Sequence, residues 1–230
     1  MQKLQHYHSP ALTLRGLRFL LIRLGARPQT QELVPEVRAA REALQKAADA
    51  YDEARERRIA ATAEIIHLDA EQDAHVMNLS RAVLMMTDGN RDDARYKKLF
   101  PEAPSTLTAP IAGDKQTRFV SALIGILRDD AAYDGLNAHA DILEADAKTL
   151  ADALEAREAL YLPESKAQAE MRVALDKAKR LYNLTHPRLQ LIFPEQKSLV
   201  ESHFIPTKGR GIGDSVEDSD TPDESETTDA

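Results

Sequence analysis

The sequence predicts an all-α fold, a pseudo-twofold helical bundle with a disordered acidic C-terminal tail, and three observations carry that expectation. Hydrophobic residues make up 43% and charged residues 30% of the 230-residue chain, with 9 Gly and no Trp. That balance suits helices whose charges coat exposed faces. Between Pro35 and Gly89 there is no proline or glycine, and apolar residues recur every seven positions at Val37, Leu44, Tyr51, Ile65, Leu79 and Met86. Finally, three blocks occur twice in the same order, the mark of an internal repeat. Arg18-Phe19-Leu20 with Gly25 returns as Arg118-Phe119-Val120 with Gly125. Asn90, Arg95, Phe100-Pro101-Glu102 and Ser105 return as Asn183, Arg188, Phe193-Pro194-Glu195 and Ser198, six identities in sixteen positions. Pro110 and Gly113 return as Pro206 and Gly209.

The first copy, residues 1–113, opens at Ser9-Pro10, a helix cap followed by proline at the first helical position. Leu12, Leu14, Leu17, Leu20, Leu21 and Leu24 give that helix a broad apolar face, and Gly25 and Pro28 end it. The matching helix of the second copy, residues 114–209, starts at Asp114 and carries Phe119, Val120, Leu123, Ile124 and Leu127. Alanines at 40, 47, 54, 61 and 82 line a seam beside the seven-residue row, so two helices can approach closely as in a coiled coil. Arg58 and Gln72 interrupt the row. In the second copy Leu136, Leu143, Leu150 and Leu154 form one stripe, Leu162-Pro163-Glu164-Ser165 breaks it, and Met171, Ala174, Leu175, Ala178, Leu181 and Tyr182 form another. By analogy a turn falls near residues 67–71, where Asp69 and Gln72 make a capping box. Each copy then holds a short helix and an antiparallel pair, and both copies pack into one bundle domain of four long helices. Residues 210–230 read as a disordered acidic tail.

Charge and composition narrow the function. Net charge is −8, but eight of the 38 acids lie in residues 214–230 with no Lys or Arg, leaving 30 acids against 30 bases in residues 1–213. A neutral core with 5% aromatics does not suit nucleic acid. There is no cysteine, which excludes disulfides and thiolate chemistry. No apolar run is long enough to span a membrane, and no export signal is recognisable, so a cytoplasmic protein is expected.

Three sets of residues invite a chemical reading. Phe100, Pro101, Glu102 and Phe193, Pro194, Glu195 could form a paired recognition site, but Pro and Glu suit a first helical turn and Phe its hydrophobic staple, so we read them as structural. Glu64-Ile65-Ile66-His67 is a Glu-x-x-His step, followed by Glu71 and His75 at helical spacing. The step resembles half of the dinuclear iron site of ferritin-like four-helix proteins, which implies a metal held in a bundle core. The positions that would carry the second half are Arg157 and Leu160, so we read these four as solvated or capping residues and expect neither metal nor cofactor. Lys3, Arg15, Arg18, Arg23 and Arg27, with no acid among residues 1–31, could place the first helix on an anionic membrane. The scattered histidines and the lack of a nucleophile elbow give no catalytic constellation. The expected function is a non-enzymatic helical scaffold or adaptor acting through a protein partner, with homodimerisation one form of it; the alternatives are the metal-binding bundle and the membrane-surface protein.

Overall fold

A computed structural model describes residues 4, 5, 7–108 and 114–205, and the regular elements among those residues are all helical, with no strand. Helix α1 (Pro10–Gly25) begins at Ser9, whose extended backbone (φ −67°, ψ 162°) lets its hydroxyl accept from the Leu12 amide at 3.3 Å. Pro10 follows where an amide hydrogen is not needed. A 3₁₀ helix (Pro28–Leu33) then leads into α2 (Val34–Met86).

Helix α2 runs for 53 residues without a break, about 80 Å at the usual rise per residue. The turn expected near residues 67–71 is absent, and Asp69 with Gln72 caps nothing. The burial pattern explains why. Ile65, Asp69, Gln72, Val76, Leu79 and Val83 are all buried at steps of three and four residues, one uninterrupted stripe. A polar residue in such a stripe is tolerated when a neighbouring element partners it. Arg58 pairs with Glu164, and Gln72 accepts from Gln116 at 3.5 Å. The helix ends where Asp88 (φ 49°) and Gly89 (φ 80°) adopt left-handed backbone and the Gly89 amide donates to the Leu84 carbonyl at 2.8 Å.

Short helices α3 (Ala94–Leu99) and α4 (Pro104–Leu107) follow, then α5 (Asp114–Asp129), a second 3₁₀ helix (Ala131–Leu136), α6 (Asn137–Ala159), α7 (Tyr161–Ile192) and α8 (Lys197–Glu201). Only Leu160 separates α6 from α7, and it stays in the right-handed helical region (φ −83°, ψ −15°). Pro163 lacks an amide hydrogen and its ring crowds the carbonyl of Ala159, which accounts for the interruption. The Glu164 amide still donates to the Leu160 carbonyl at 3.2 Å. The chain therefore does not reverse at Leu160. The antiparallel pair expected within each copy does not form, and one long α2 and an interrupted α6–α7 replace the four long helices.

The chain divides into two compact units. The first combines residues 1–42 with 175–230, the second is residues 43–174. In the first, Leu17, Leu20 and Leu24 of α1, Val37 of α2, Ala178, Leu181, Tyr182 and Leu189 of α7, and Phe193, Val200 and Phe204 are buried. In the second, Val76, Leu79 and Val83 of α2 pack with Tyr96, Leu99 and Phe100, with Val120, Leu123 and Leu127 of α5, and with Tyr133, Leu136, Ala140 and Leu143. Neither unit follows the division at residue 113; each is closed by a helix from the other half of the sequence.

The two openings share part of a burial pattern. With a shift of 103 residues six pairs of buried positions coincide, Thr13 with Gln116, Leu17 with Val120, Leu20 with Leu123, Leu24 with Leu127, Thr30 with Tyr133 and Val37 with Ala140, whereas buried Gly16 and Leu136 fall on half-buried Phe119 and Leu33. The shift of 100 that aligns Arg18-Phe19-Leu20 with Arg118-Phe119-Val120 sets buried Leu17 against exposed Thr117. Residues 110–113, 206–209 and the acidic stretch 214–230 lie outside the described residues.

Candidate functional site

In the second unit, residues 45–64 of α2 and 151–174 of α6–α7 contain no fully buried residue. Each stretch has a half-buried seam at steps of three and four: Ala47, Tyr51, Ala54, Arg58 and Ala61 on α2, and Arg157, Leu160, Glu164, Ala167, Met171 and Ala174 on α6–α7. Arg58 links α2 to α7. Its guanidinium pairs with the Glu164 carboxylate and lies 5.5 Å from the centre of the Tyr161 ring. The hydrogen bond to Glu164 holds the Arg58 guanidinium above its ordinary pKa. The alanines of these seams are too small to cover much of a facing helix. Ile59 (50% exposed) and Ile66 on α2, and Leu162 (78%) and Val173 on α7, therefore remain open to water.

The Glu-x-x-His residues do not converge. Glu64 is exposed, His67 Nε2 lies 3.4 Å from Glu71 Oε1 one turn along the same exposed helix surface, and His75 Nδ1 lies 2.5 Å from Asp146 Oδ2 of α6. Among the described residues no three His, Asp or Glu side chains are grouped so as to hold a metal ion. Phe100 and Phe193 are both buried, whereas Pro101, Glu102, Pro194 and Glu195 are exposed. Phe100 packs on Tyr96 and Phe119, while Phe193 stacks on His203 with Arg27 over its ring. The repeated polar residues behave differently in the two places. Asn90 accepts from the Asp92 amide next to it, while Asn183 forms two hydrogen bonds with the backbone of Leu4. On α1, Arg15 and Arg18 are exposed, Arg23 donates to Ser202, and Leu17, Leu20 and Leu24 are committed to the core while Leu12 and Ile22 stay exposed.

Sequence reasoning missed a polar cluster in the second unit. Asp69, Gln72 and Gln116 are buried and Asp73 is half-buried. Gln116 Nε2 donates to Asp73 Oδ1 at 2.9 Å. Gln116 Oε1 is buried without a hydrogen-bond partner. Burial, together with the neighbouring Asp69 carboxylate, pushes Asp73 up to about 6. Two acids one turn apart with Gln72 between them were visible in the sequence; that their face is the core face shows only once α2 is known to be unbroken. No family model matches the chain, and comparison with curated proteins and with solved structures finds no significant match.

Proposed function

We propose that the protein is a non-enzymatic helical adaptor, and that residues 45–64 and 151–174 receive a helical segment of a protein partner. One observation carries the reading: two helix stretches in one unit keep half-buried seams and leave Ile59, Ile66, Leu162 and Val173 in water. Exposed apolar side chains gathered along one element are a feature of binding surfaces, and an amphipathic helix laid beside such a seam would complete the burial that two alanine-rich helices leave unfinished, in the manner of a coiled coil. The test is a capture experiment in the native host with full-length protein and an Ile59→Asp/Leu162→Asp variant. Both sites are largely exposed, so helicity and melting temperature should be preserved. A partner identified with the unchanged protein and lost with the variant supports the reading; equal capture by both removes this surface from it. Sedimentation of the purified chain distinguishes a second copy from a different protein as the partner.

We further infer that the two halves descend from one duplicated unit in the register of 103 residues, in which each copy's opening helix packs on a long helix of the other copy, α1 on α7 and α5 on α2. The coincidence of buried positions and the matching sequence of a sixteen-residue helix, a 3₁₀ helix and a long helix support this. A cytoplasmic location belongs to the same proposal.

A further inference from the structure

We propose that Gln116 and Asp73 form a proton-operated latch between α5 and α2, which closes when Asp73 takes up a proton and slackens when it loses it. The geometry asks for that proton. A carboxylate can only accept, so ionised Asp73 engages the Gln116 amide through one bond, Nε2–H to Oδ1 at 2.9 Å. Gln116 Oε1 is then left buried with nothing to accept from, a costly position for an amide oxygen. A neutral carboxyl has the matching pair of groups. Its C=O accepts from Nε2–H while its O–H donates to Oε1, so acid and amide close an eight-membered ring of two hydrogen bonds and the orphan oxygen is satisfied. The proton comes from water, which reaches the half-buried Asp73.

The surroundings favour the neutral form. Asp69 stands one turn back on α2, and burial together with that charge pushes Asp73 up to about 6. His75, two residues on, is paired with Asp146 of α6, and Lys115 and Arg118, which lie on either side of Gln116 in α5, are exposed. Gln72, also buried, receives the second, longer bond of the Gln116 amide at 3.5 Å.

The latch acts on the first turns of α5, so the readout is local. Hydrogen exchange of α5 amides, corrected for intrinsic rates, should show protection rising about tenfold from pH 7.5 to 5, the change expected for a carboxyl titrating near 6 when folded and near its ordinary value when open. Asp73→Asn supplies a permanent donor and acceptor and should hold α5 protected at both pH values. A His75→Gln control removes the nearby imidazole and should keep the pH step. Unchanged wild-type protection across this range, a wild-type pH step surviving in Asp73→Asn, or a step lost in His75→Gln would each overturn the latch. Carbon-13 titration of the Asp73 carboxyl in the unaltered protein tests it independently: a midpoint near 6 supports the proposal and one below 4.5 sinks it.

Discussion

Thr30 and Tyr133 occupy the same place in two corners, one between α1 and α2 and the other between α5 and α6. In both, a residue with extended backbone, Arg27 (φ −134°, ψ 132°) or Asp130 (φ −113°, ψ 110°), leads into a six-residue 3₁₀ helix. In both, the buried residue's own amide bonds back to that leading residue, and the next long helix begins without a gap. The side chains solve the corner differently. Thr30 Oγ1 stays within it, donating to the Leu24 carbonyl at 2.6 Å. Tyr133 reaches out, its hydroxyl donating to the Arg95 carbonyl of α3 at 2.8 Å. The helices before the corners differ likewise: Thr13 bonds to the Ser9 carbonyl one turn back, whereas Gln116 crosses to α2. The first corner satisfies its polar groups locally, the second by binding its neighbours, so the same backbone path serves as a self-contained cap in one unit and as a clasp in the other.

The shared path can be broken most severely at its apolar centre. Leu24 and Leu127 are both completely buried, at positions that the proposed register equates. Leu24→Ala and Leu127→Ala should each cost about 3 kcal/mol, the usual penalty for a cavity in a packed core, and denaturant unfolding would measure both. Costs that agree within about 1 kcal/mol uphold the equivalence; a negligible cost at one site would mean the register of 103 aligns positions that only look alike.

Much of this was legible in advance. Ser9-Pro10 marks the start of α1, Gly25 its end, Asp114 the start of α5, and Pro163 the interruption between α6 and α7. The unbroken α2 was not, because Arg58 and Gln72 look like breaks in a stripe until Glu164 and Gln116 are seen to partner them. The shared burial pattern was hidden for a related reason. Arg18 and Arg118 match by name yet are exposed, whereas the residues that share a buried role, such as Thr13 with Gln116 and Thr30 with Tyr133, share no chemistry. The polar cluster depends on both facts and so was invisible without them.

Acid should separate the two units. His203, buried in the first, bonds to the Leu199 carbonyl and stacks on Phe193. Burial lowers its pKa, and Arg23 and Arg27 lower it further. The unfolded chain therefore holds the proton more readily than the folded one, so the His203 contribution is intact above the ordinary histidine pKa and is lost as pH falls below about 6.5, by at most about 1.4 kcal/mol per unit. Asp73 in the second unit has the opposite sign: its raised pKa makes the folded state hold the proton more tightly, so ionisation weakens the structure as pH rises through about 6. Between pH 7 and 5, exchange protection should decline in α8 and rise in α5, and His203→Gln should flatten the former alone. A parallel decline in both would erase the contrast.

The smallest effect tests the clasp itself. Tyr133→Phe keeps the ring in the core and removes only the hydroxyl, so it should cost about 1 kcal/mol, the worth of one partly buried hydrogen bond. Thr30→Val removes the corresponding hydroxyl at nearly the same volume and should cost a similar amount. Global stability thus cannot tell the two corners apart, but the location of the loosening can. Without its hydroxyl, Tyr133 releases the Arg95 carbonyl, and the six residues of α3 should lose exchange protection although none of them is altered. Thr30→Val should loosen only residues 24–34, because its partners are the carbonyls of Leu24 and Arg27. If α3 stays protected in Tyr133→Phe, the second corner is as self-contained as the first, and the different side chains are two ways of filling one space.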